Sequence, residues 1–548
     1  MRFWRTALKR RKRAVNLLEK FDEIFAKQRE SVAITGNLGH ITYRRLDEWT
    51  RAIGSELRRM GLGKNDVVSV ETANKLEAIV LLLGIVRSGA AYCVIPADYP
   101  EHRRTLMRSK VGAKAVLGSA EFRRLTASGL AEEVLPEPAI REEDSLLYVI
   151  FTSGSTGEPK PVAIEDRSIR KIAGHAEFYA GTVMGQFAPL EFDASVYELF
   201  GGLLNGMTLR MVDKEESLDF DLLPAILAEL DTAFLTTRLF NLYVDECPEA
   251  LSRLELILTG GERGSADHLK RAARSSRVLH VYGPTETTVF ATRYAVRGDE
   301  TEIPIGQSFD GGRLLVLNEE GVPAVPGQPG ELVIADSGLM RAYIGEPEAN
   351  EKAILVIGGV RYYRTGDSVY EDRDGNLVYV ERRDRQVKIA GYRVELGEIE
   401  RCAQAYGLRR DCVAHYDGSR LILLITDDVE PEGLRSHLKS RLPHYMIPSV
   451  KYAAQVPMNG NGKTDAKALT AIREEAEAAA DAGTDILGVV EKVLRSPVVP
   501  DKTFLDLGGD SIQAMEIIWE LGGKGYELDL DLLFRCTLEE IVDHVQAS

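Results

Sequence analysis

Helical and strand patterns alternate over much of the first 300 residues, and this alternation constrains the fold more than any other feature. "ITYRRLDEWTRAIGSELRRMG" has the apolar spacing of an amphipathic helix ended by Gly61. "LEAIVLLLGIVRSG" is apolar on all sides, which indicates a buried helix, and "DVVSVET" before it predicts a strand. Strands that alternate with helices pack as a layered α/β fold.

The pattern changes further along the chain. Residues 311–380 have short strand patterns separated by Gly, Pro and Asp-Gly turns, which predicts a small β-rich unit. Residues 471–483 are rich in Ala and Glu without an apolar stripe, which favours a linker. The chain is 548 residues long and 44% hydrophobic, so one core cannot hold it and three folding units are expected.

Composition excludes several classes of function. The longest apolar stretch, residues 78–86, is far shorter than the roughly twenty residues of a membrane-spanning helix. The formal net charge of −16 argues against nucleic-acid or anionic-membrane binding as the main role. Residues 1–21 are basic but lack a signal core, so they predict a solvated helical lead-in or, alternatively, a segment that docks a partner. Five scattered cysteines without C-x-x-C spacing fit a reducing cytoplasm and neither disulfides nor structural zinc.

Two segments carry chemistry. In "YVIFTSGSTGEPKP", residues 148–161, an apolar strand leads into small residues that let backbone amides approach a phosphate. The spacing is not that of a Walker loop, and by composition alone a flexible Ser/Gly turn is the better explanation. Near the C-terminus, Ser511 in "FLDLGGDSIQAMEII" opens an apolar-periodic helix, whose N-terminus favours phosphate, although an ordinary serine cap also fits.

Longer strings resemble one known family. "TSGSTGEPKP" is similar to the phosphate loop of the adenylate-forming superfamily, whose members make acyl-AMP from a carboxylate and ATP. The resemblance implies ATP contacts in this loop at Thr152, Ser153, Gly154, Ser155, Thr156, Gly157 and Lys160.

Further motifs resemble the same superfamily in the same order along the chain. "VYGPTETT" implies that Tyr282 stacks on adenine, Thr285 contacts the α-phosphate and Glu286 binds magnesium, for which an acidic oxygen is a suitable ligand. "YRTGDS" implies that Asp367 accepts hydrogen bonds from both ribose hydroxyls, and Arg382 is the implied ribose and phosphate contact.

The resemblance also covers the conformational and catalytic parts beyond residue 383. It implies that Asp384 is a hinge, that Gly391 lines the tunnel for the thiol, and that Lys463 in "MNGNGKTD" bridges the substrate carboxylate and ATP. The predicted catalytic residues are therefore Lys463, Thr285 and Glu286. Each could be a turn former, a cap or a solvated charge if taken alone, but their joint occurrence favours the functional interpretation.

"FLDLGGDS" closely resembles the phosphopantetheine attachment motif of carrier proteins, which implies that Ser511 carries a thiol-ended arm. From about residue 20 to the end, the chain resembles the adenylation and thiolation didomain of nonribosomal peptide synthetases. This implies an α/β multidomain fold with a layered N-terminal subdomain and its β-rich unit, a small α+β subdomain and an all-α four-helix carrier domain. The expected bounds are 1–380 and 384–470 for the two adenylation subdomains, 471–483 for the linker and 484–548 for the carrier domain.

Three positions depart from the family pattern: Glu381 stands where Gly is usual, Ala390 where Arg is common, and Ala342 where Gly is usual. None removes a catalytic group, so the departures concern local loop geometry and linker mobility. No residues are left for condensation or thioesterase regions, so the protein is expected to load an amino acid and not to join two.

The resemblance extends to the substrate pocket. "FDASVYELF" matches the segment in which amino-acid-activating members place an aspartate against the substrate ammonium, here Asp193. Helical spacing puts Ala194 and Tyr197 near the same wall, and strand alternation brings Leu258 and Gly260 to one face. The family's remaining pocket positions are Phe234, Val281, Val289 and Phe290.

This lining is apolar except for Asp193 and Lys463, and only Gly260 leaves obvious room, which favours a branched aliphatic amino acid. The set resembles isoleucine-activating domains most, with valine and leucine next. One methylene is worth only about 1 to 3 kcal/mol in such a pocket, so the three stay open. The alternative is that these residues are ordinary core.

The implied activity is that of an amino acid adenylating ligase that forms AMP and pyrophosphate with ATP, magnesium and phosphopantetheine. The implied partners are a phosphopantetheinyl transferase, a downstream synthetase or tailoring enzyme acting in trans, and an MbtH-like activator. Two other classes are weighed: a freestanding acyl-CoA ligase, which Asp193 and Ser511 disfavour, and a non-catalytic scaffold, which the complete set of ATP-site groups disfavours.

Overall fold

The computed structural model describes residues 16–546 with a number of gaps. The residues outside the description within that span are 38, 128–138, 155–156, 390–391, 409–411, 417–420, 428, 430, 453–485, 495–497, 505, 508, 510–512, 515–516, 519–520, 522–525, 527 and 529. The chain divides into two compact units. The first comprises Met1–Asp98, Arg104–Thr152 and Lys160–Asp384, and the second Tyr99–Arg103, Ser153–Pro159 and Arg385–Ser548.

The first unit contains twenty strands among its described residues. They are β1 Val32–Gly36, β2 Gly39–Thr42, β3 Val67–Val70, β4 Ala91–Val94, β5 Ala115–Leu117, β6 Leu146–Thr152, β7 Lys160–Glu165, β8 Val183–Gln186, β9 Thr208–Met211, β10 Thr232–Thr236, β11 Leu256–Gly260, β12 Arg277–Tyr282, β13 Thr292–Ala295, β14 Gln307–Ser308, β15 Arg313–Leu317, β16 Gly330–Ala335, β17 Ala342–Tyr343, β18 Ile354–Ile357, β19 Val360–Glu371 and β20 Leu377–Arg382.

These strands form three sheets. A nine-stranded sheet has the order β14-β13-β12-β11-β10-β8-β9-β1-β2, and a six-stranded sheet has the order β17-β7-β6-β4-β3-β5. The neighbours from β12 to β9 in the first sheet pair in parallel, which requires crossover connections. The third sheet, β15-β16-β19-β18 with β20 on β19, is antiparallel. It is the β-rich unit predicted by the short strand patterns and frequent turns of residues 311–380.

Helices connect and cover the strands. The described α-helices are Leu17–Lys27, Tyr43–Arg59, Lys75–Ser88, Glu101–Val111, Ser119–Thr126, Arg167–Ala173, Asp193–Val196, Gly202–Leu204, Lys214–Leu218, Leu223–Leu227, Thr237–Glu246, Pro248–Leu251, Ala266–Ala272, Pro347–Ala353, Leu396–Gln404, Pro431–Lys439, Ile486–Leu494, Leu530–Arg535 and Leu538–Gln546. Short 3₁₀ turns occur at Ala176–Phe178, Thr285–Thr287 and His444–Met446, and a π-helical turn at Tyr197–Gly201.

Local chemistry explains the helix ends. The helix Tyr43–Arg59 begins two residues later than the apolar pattern predicted, because Thr42 belongs to β2 and its side chain caps the helix by accepting from the Arg45 amide. Gly61 has a φ of +81° just beyond the end of this helix, so the predicted glycine stop is confirmed. The helix Lys75–Ser88 is buried on all sides from Ala78 onward, as its sequence predicted.

The second unit has its own secondary structure. Its strands are β21 Gln386–Ile389, β22 Tyr392–Glu395, β23 Val413–Tyr416, β24 Leu421–Ile425 and β25 Ser449–Tyr452. β21 and β22 form a hairpin, and β23-β24-β25 form a small sheet. The helices Ile486–Leu494, Leu530–Arg535 and Leu538–Gln546 contribute to a separate apolar core around Val490, Ile517 and Leu533.

The largest core among the described residues lies in the first unit and is formed by residues of its two large sheets and their helices. A second cluster lies under the helix Thr237–Glu246. No helix in the described ranges is both long enough and apolar enough to span a bilayer.

Candidate active site

Three parallel strands of the first unit build one wall of the candidate pocket. β10, β11 and β12 pair in register, with Phe234 opposite Leu258 and Gly260 opposite Val281. Residues opposite each other or two apart along a strand share a face, so these four predicted pocket residues lie on one side of the sheet. Phe234, Leu258 and Val281 are nearly or fully buried.

Aromatic side chains close this wall. The ring of Tyr197 lies 5.2 Å from that of Phe290 and 6.4 Å from that of Phe234, and the Phe234 and Phe290 rings are 5.7 Å apart. The Tyr197 hydroxyl donates to the Phe178 carbonyl at 2.7 Å. Because that hydroxyl is already paired, the aromatic cluster of Tyr197, Phe234 and Phe290 presents an apolar surface.

The structure gives Gly260 a role that differs from the expected one. A Cβ atom at this position would lie 2.0 Å from the Val281 carbonyl oxygen. Glycine is therefore required for the close approach of β11 and β12, and the space beside it is filled by backbone. The expectation that Gly260 leaves room for the substrate is thus wrong for the direction in which a side chain at this position would extend.

Asp193 lies at the start of a helical run. It begins the helix Asp193–Val196, which continues into the π-helical turn Tyr197–Gly201, so Asp193 precedes Tyr197 by four residues on one run. Residues four apart on a helix share a side, so Asp193, which is partly exposed, lies on the same side of this run as Tyr197. π-helical turns are rare and frequently occur at functional sites. Ala194 is partly buried and packs against the core.

Sequence reasoning missed a buried acid that anchors this run. The Glu198 carboxylate accepts from Gln186 Nε2 at 2.9 Å and from the backbone amides of Phe187 and Ala188 at 3.1 Å. Burial raises the pKa of Glu198 to about 7. Lys75 Nζ donates to the carbonyls of Gln186 and Val212, and burial lowers its pKa. The motif "FDASVYELF" contains Glu198 but gave it no role, and Lys75 lies outside the quoted motifs; the signal for each was a charged residue in an otherwise apolar segment.

The predicted nucleotide contacts converge on Asp367. Tyr282 donates its hydroxyl hydrogen to Asp367 Oδ2 at 2.5 Å, and Arg382 Nη1 donates to Oδ1 at 3.0 Å. Asp367 and Arg382 are cross-strand partners on β19 and β20, so the sheet register holds them together. Arg382 also donates two hydrogen bonds to Asp384, the predicted hinge. Burial, followed by the Asp367 charge, raises the pKa of Tyr282 well above its usual value.

The residues of "PTETT" form a tight turn beside this network. Glu286 in the 3₁₀ turn Thr285–Thr287 is fully buried and accepts from the Tyr343 hydroxyl at 2.5 Å. Lys160 begins β7 and is buried, with its Nζ 5.3 Å from the Tyr343 ring centroid. Thr152 at the end of β6 pairs with Lys160 in the ladder. These four residues therefore connect the end of β6 and the start of β7 to the turn.

Magnesium chemistry can be tested against this turn. Glu286 supplies one carboxylate, and among the described residues no group of three or more His, Cys, Asp or Glu side chains could hold a metal ion. Mg²⁺ is commonly bound through one or two carboxylates together with phosphates and water. The single buried carboxylate of Glu286 therefore fits an ion that arrives with ATP.

The glycine-rich loop itself belongs to the second unit, where polar groups of its described residues Ser153 and Gly154 are paired. Ser153 Oγ donates to the Arg393 carbonyl at 2.9 Å and accepts from the Glu395 amide at 3.0 Å. The Gly154 amide donates to Glu398 Oε2 at 3.3 Å, and Arg103 donates to Glu398 Oε1 at 2.9 Å. In this conformation Ser153 and Gly154 thus bond to protein groups.

The backbone conformation and close packing at position 157 explain why this residue of the loop is glycine. Its φ is +89°, and a Cβ atom there would lie 2.5 Å from Arg401 Nε. Five predicted functional residues lie outside the described residues: Ser155, Thr156, Gly391, Lys463 and Ser511.

Comparison with known proteins agrees with this geometry. The family model of AMP-binding enzymes matches residues 21–344, and that of the phosphopantetheine attachment site matches residues 484–545. Tyrocidine synthase 3 of Brevibacillus parabrevis is 31% identical over 578 residues, covering 98% of this chain and 9% of that protein. Bacitracin synthase 1 of Bacillus licheniformis is 32% identical over 588 residues, covering 97% and 11%. The chain therefore spans only a small part of these curated relatives.

A solved structure is similar over nearly the whole chain. Holo-PA1221, a nonribosomal peptide synthetase protein containing adenylation and carrier domains and bound to a vinylsulfonamide inhibitor, superposes with a TM-score of 0.86 at 27% identity. The match covers 97% of this chain and 96% of that chain. The predicted fold class, α/β with a following carrier domain, is confirmed.

The class that fold and site define is thus an adenylation domain followed by a carrier domain. The chain belongs to the family of AMP-binding enzymes, within the adenylate-forming superfamily, and carries a phosphopantetheine attachment segment. ATP, magnesium and phosphopantetheine are the groups that this class uses, as the sequence predicted.

Proposed function

We propose that the chain activates an amino acid with ATP, releases pyrophosphate, and transfers the aminoacyl group from AMP to a thiol on its own carrier domain. The observation that carries the amino-acid part is Asp193, an acid on the same helical run as Tyr197 of the apolar aromatic cluster. A carboxylate beside apolar side chains is costly unless a cation neutralises it. The ammonium group of an amino acid is such a cation.

The nucleotide would occupy the groups that converge in the first unit. Asp367 already accepts two hydrogen bonds, from Tyr282 and Arg382, so its oxygens are oriented for hydroxyl donors such as those of ribose. Tyr282 would release Asp367 and stack on the base. Thr285 and Glu286 would meet the α-phosphate and its magnesium ion.

In the first half-reaction, the amino acid carboxylate attacks the α-phosphorus in line, and the bond to pyrophosphate breaks. No protein nucleophile is needed, so the enzyme contributes position and charge. We assign the positive charge that stabilises the transition state to Lys463, on its resemblance to the family's lysine. In the second half-reaction, the arm on Ser511 supplies a thiol, and AMP leaves.

Asp384 is our proposed hinge between the two half-reactions. The boundary between the two compact units follows it directly. Hinges are a few residues that absorb backbone rotation. The Arg382 side chain, which holds both Asp367 and Asp384, would couple nucleotide binding to this position. Gly391 is the proposed thiol-tunnel residue and Ser153 to Lys160 the proposed phosphate loop.

For the substrate we propose a branched aliphatic amino acid, with isoleucine first and valine and leucine next. The support is the apolar wall of Phe234, Leu258, Val281 and the ring of Phe290. The proposed partners are a phosphopantetheinyl transferase, a downstream synthetase or tailoring enzyme acting in trans, and an MbtH-like activator. The proposed setting is cytoplasmic natural-product biosynthesis.

The amino-acid assignment is tested by pyrophosphate exchange. Wild type should activate isoleucine, and Asp193→Ala should lose about 100-fold or more of that activity, because the ammonium loses its ionised hydrogen-bond acceptor. Exposed Asp221 offers a matched control, and Asp221→Ala should behave as wild type. Equal exchange with 3-methylpentanoic acid and isoleucine would mean that the protein is an acyl ligase of another kind. No exchange with any acid would instead indicate a scaffold.

The carrier assignment has a separate test. After treatment with a phosphopantetheinyl transferase, wild type should be loaded covalently, whereas Ser511→Ala should keep pyrophosphate exchange and not be loaded, because the attachment segment lies outside the ATP motifs. Intact-protein mass spectrometry after incubation with ATP and mixed amino acids measures the loading and identifies the amino acid. Retention of an aminoacyl adduct by the variant would exclude Ser511 as the attachment site.

A further inference from the structure

The backbone between Glu286 and Phe290 adopts a strained conformation. Thr288 and Val289 have φ values of +59° and +64°, and in the described part of the chain Asn65 is the only other residue besides glycine with positive φ. The left-handed region costs of order 1–3 kcal/mol for such residues, and a β-branched side chain like that of Val289 is disfavoured there. Strain of this kind persists only where neighbouring groups hold it in place.

A buried ion pair holds this turn from the side. Lys171 Nζ donates to the Thr287 carbonyl at 2.7 Å and to Asp336 Oδ2 at 2.5 Å. The side chains of Lys171 and Asp336 are 0% and 1% exposed. Asp336 Oδ1 in turn accepts from the Gly338 amide at 3.0 Å. The pair thus connects the carbonyl before the strained residues to the loop that follows β16.

That loop also contacts the turn through its backbone. The Thr288 hydroxyl donates to the Gly338 carbonyl at 2.6 Å. A Cβ atom at Gly338 would lie 2.5 Å from the Thr287 carbonyl oxygen, so glycine is needed for this approach. Two residues further on, the Met340 amide donates to the Glu286 carbonyl at 2.7 Å. The loop therefore holds the turn at Glu286, Thr287 and Thr288.

Energetics indicate that the pair has a purpose beyond stability. Replacing a buried ion pair by apolar residues of similar volume is often neutral or stabilising, whereas removing one partner costs about 3–5 kcal/mol. A pair that contributes little net stability but fixes one backbone carbonyl is suited to specifying a conformation. The conformation in question lies between the predicted magnesium ligand Glu286 and the pocket residues Val289 and Phe290.

We propose that Lys171 and Asp336 are positioning residues for adenylation, which hold the Thr288–Val289 turn so that Glu286 and the Val289–Phe290 wall keep their places. This inference rests on the proposed function for the roles of Glu286, Val289 and Phe290. Neither residue of the pair is assigned to contact substrate.

The test separates positioning from stability. Lys171→Met and Asp336→Leu alone should each lower the unfolding midpoint, because each leaves a buried charge unpaired. The double variant should regain most of the lost unfolding midpoint, because neither member of the pair is left as an unpaired buried charge. Its kcat/KM for pyrophosphate exchange should nevertheless stay about 10- to 100-fold below wild type. Hydrogen exchange of the peptide covering residues 285–291 should be faster in the double variant.

Arg141 and Asp166 form a matched control pair. Their side chains are 0% and 7% exposed and lie 2.7 Å apart in the same unit, with further Arg141 contacts to the Val86 and Ala90 carbonyls. The double variant Arg141→Met/Asp166→Leu should keep the wild-type hydrogen-exchange rate in residues 285–291 and the wild-type kcat/KM for pyrophosphate exchange. A Lys171→Met/Asp336→Leu protein with wild-type kinetics and wild-type protection of that peptide would overturn the proposal.

Thr288→Val provides a second route in case the pair variants do not fold. It keeps the side-chain shape and removes the hydrogen bond to the Gly338 carbonyl, so it should fold and lower kcat/KM by about tenfold. Wild-type kcat/KM and peptide protection in Thr288→Val would also contradict the proposal. Because peptide protection requires no substrate, this measurement stays decisive even if wild type activates no amino acid and the proposed function fails.

Discussion

The turn Glu286–Phe290 in the first unit and the glycine-rich loop Ser153–Pro159 in the second are both predicted to meet the nucleotide, yet they are held differently. In the turn, two residues with side chains adopt left-handed backbone, and buried Lys171 holds the preceding carbonyl. In the loop, the left-handed position is Gly157, where the conformation carries no side-chain penalty.

The difference lies in what holds each segment. The turn is held by backbone and buried side chains that chemistry at the site does not need to displace. The loop is held by its own potential phosphate ligands, because Ser153 Oγ and the Gly154 amide bond to Arg393 and Glu398. A strained, packed turn suits a site that must be preorganised, whereas a loop whose donors are occupied must exchange partners before it can bind phosphate.

The largest expected effect is on the loop. Glu398→Ala leaves Arg103 buried without its carboxylate and removes the acceptor of the Gly154 amide, since the two side chains are 7% and 1% exposed. We expect a loss of about 3–5 kcal/mol in the stability of the second unit, measured by denaturant unfolding. Hydrogen exchange in residues 153–159 should also accelerate.

Glu400 on the same helix is the matched control. Its partner Arg385 is 55% exposed, so loss of that ion pair should cost about 1 kcal/mol or less, and loss of the hydrogen bond from the Ala414 amide about 1 kcal/mol more. Equal destabilisation by Glu398→Ala and Glu400→Ala would show that the Arg103 pair does not hold the loop.

An intermediate effect is expected in the pocket wall next to the turn. Gly260→Ala places a methyl group 2.0 Å from the Val281 carbonyl oxygen, which backbone cannot avoid by a rotamer change. Overpacking of this kind costs about 1–3 kcal/mol, measured as a lower unfolding midpoint of the first unit. Gly63→Ala meets nothing within 4 Å and should be close to neutral. If Gly260→Ala left the unfolding midpoint unchanged, the expectation that this glycine leaves open space would stand again.

The smallest effect is a pH dependence of the strand that leads into the turn. His280 on β12 donates from Nδ1 to the Pro304 carbonyl at 2.8 Å, and burial lowers its pKa below 6.5. In the unfolded chain the His280 imidazole takes up a proton near pH 6.5, whereas in the folded protein it stays neutral. The free energy of unfolding therefore falls as the pH drops below 6.5.

The measurement is the difference in unfolding free energy between pH 7.5 and pH 5.5. His280→Gln should remove part of the acid-induced loss, which amounts to at most about 1.4 kcal/mol per pH unit for one group. His40→Gln, at an exposed position of the same unit, should leave the loss unchanged. A wild-type pH profile in His280→Gln would mean that other groups cause the acid sensitivity.

Much of the fold and part of the site could be predicted because their signals are local. The buried helix Lys75–Ser88 and the glycine stop at Gly61 follow from periodicity and backbone freedom. Strand alternation, together with the register of the strands, places four pocket residues on one face of the sheet: Phe234, Leu258, Gly260 and Val281.

Other features could not be predicted because they depend on residues far apart in the chain. Nothing in the string "IRKIA" indicates that Lys171 bonds to residues 287 and 336, since only folding brings those segments together. Gly260 was misread because a glycine that makes room and a glycine that admits a neighbouring carbonyl look alike in sequence. Glu198 was missed because its partners, the amides after β8, are defined by tertiary structure.

The sequence by itself determined the class of this protein: the order of its motifs identifies an adenylation domain and a carrier segment, because side-chain types and spacing are properties of the chain alone. Only the tertiary structure decided that Asp367 accepts hydrogen bonds from Tyr282 and Arg382, and that buried Lys171 donates to a carbonyl of the strained turn. The physical reason is that hydrogen bonds and close packing act over a few ångströms, while the groups that make them here lie 85 and 116 residues apart.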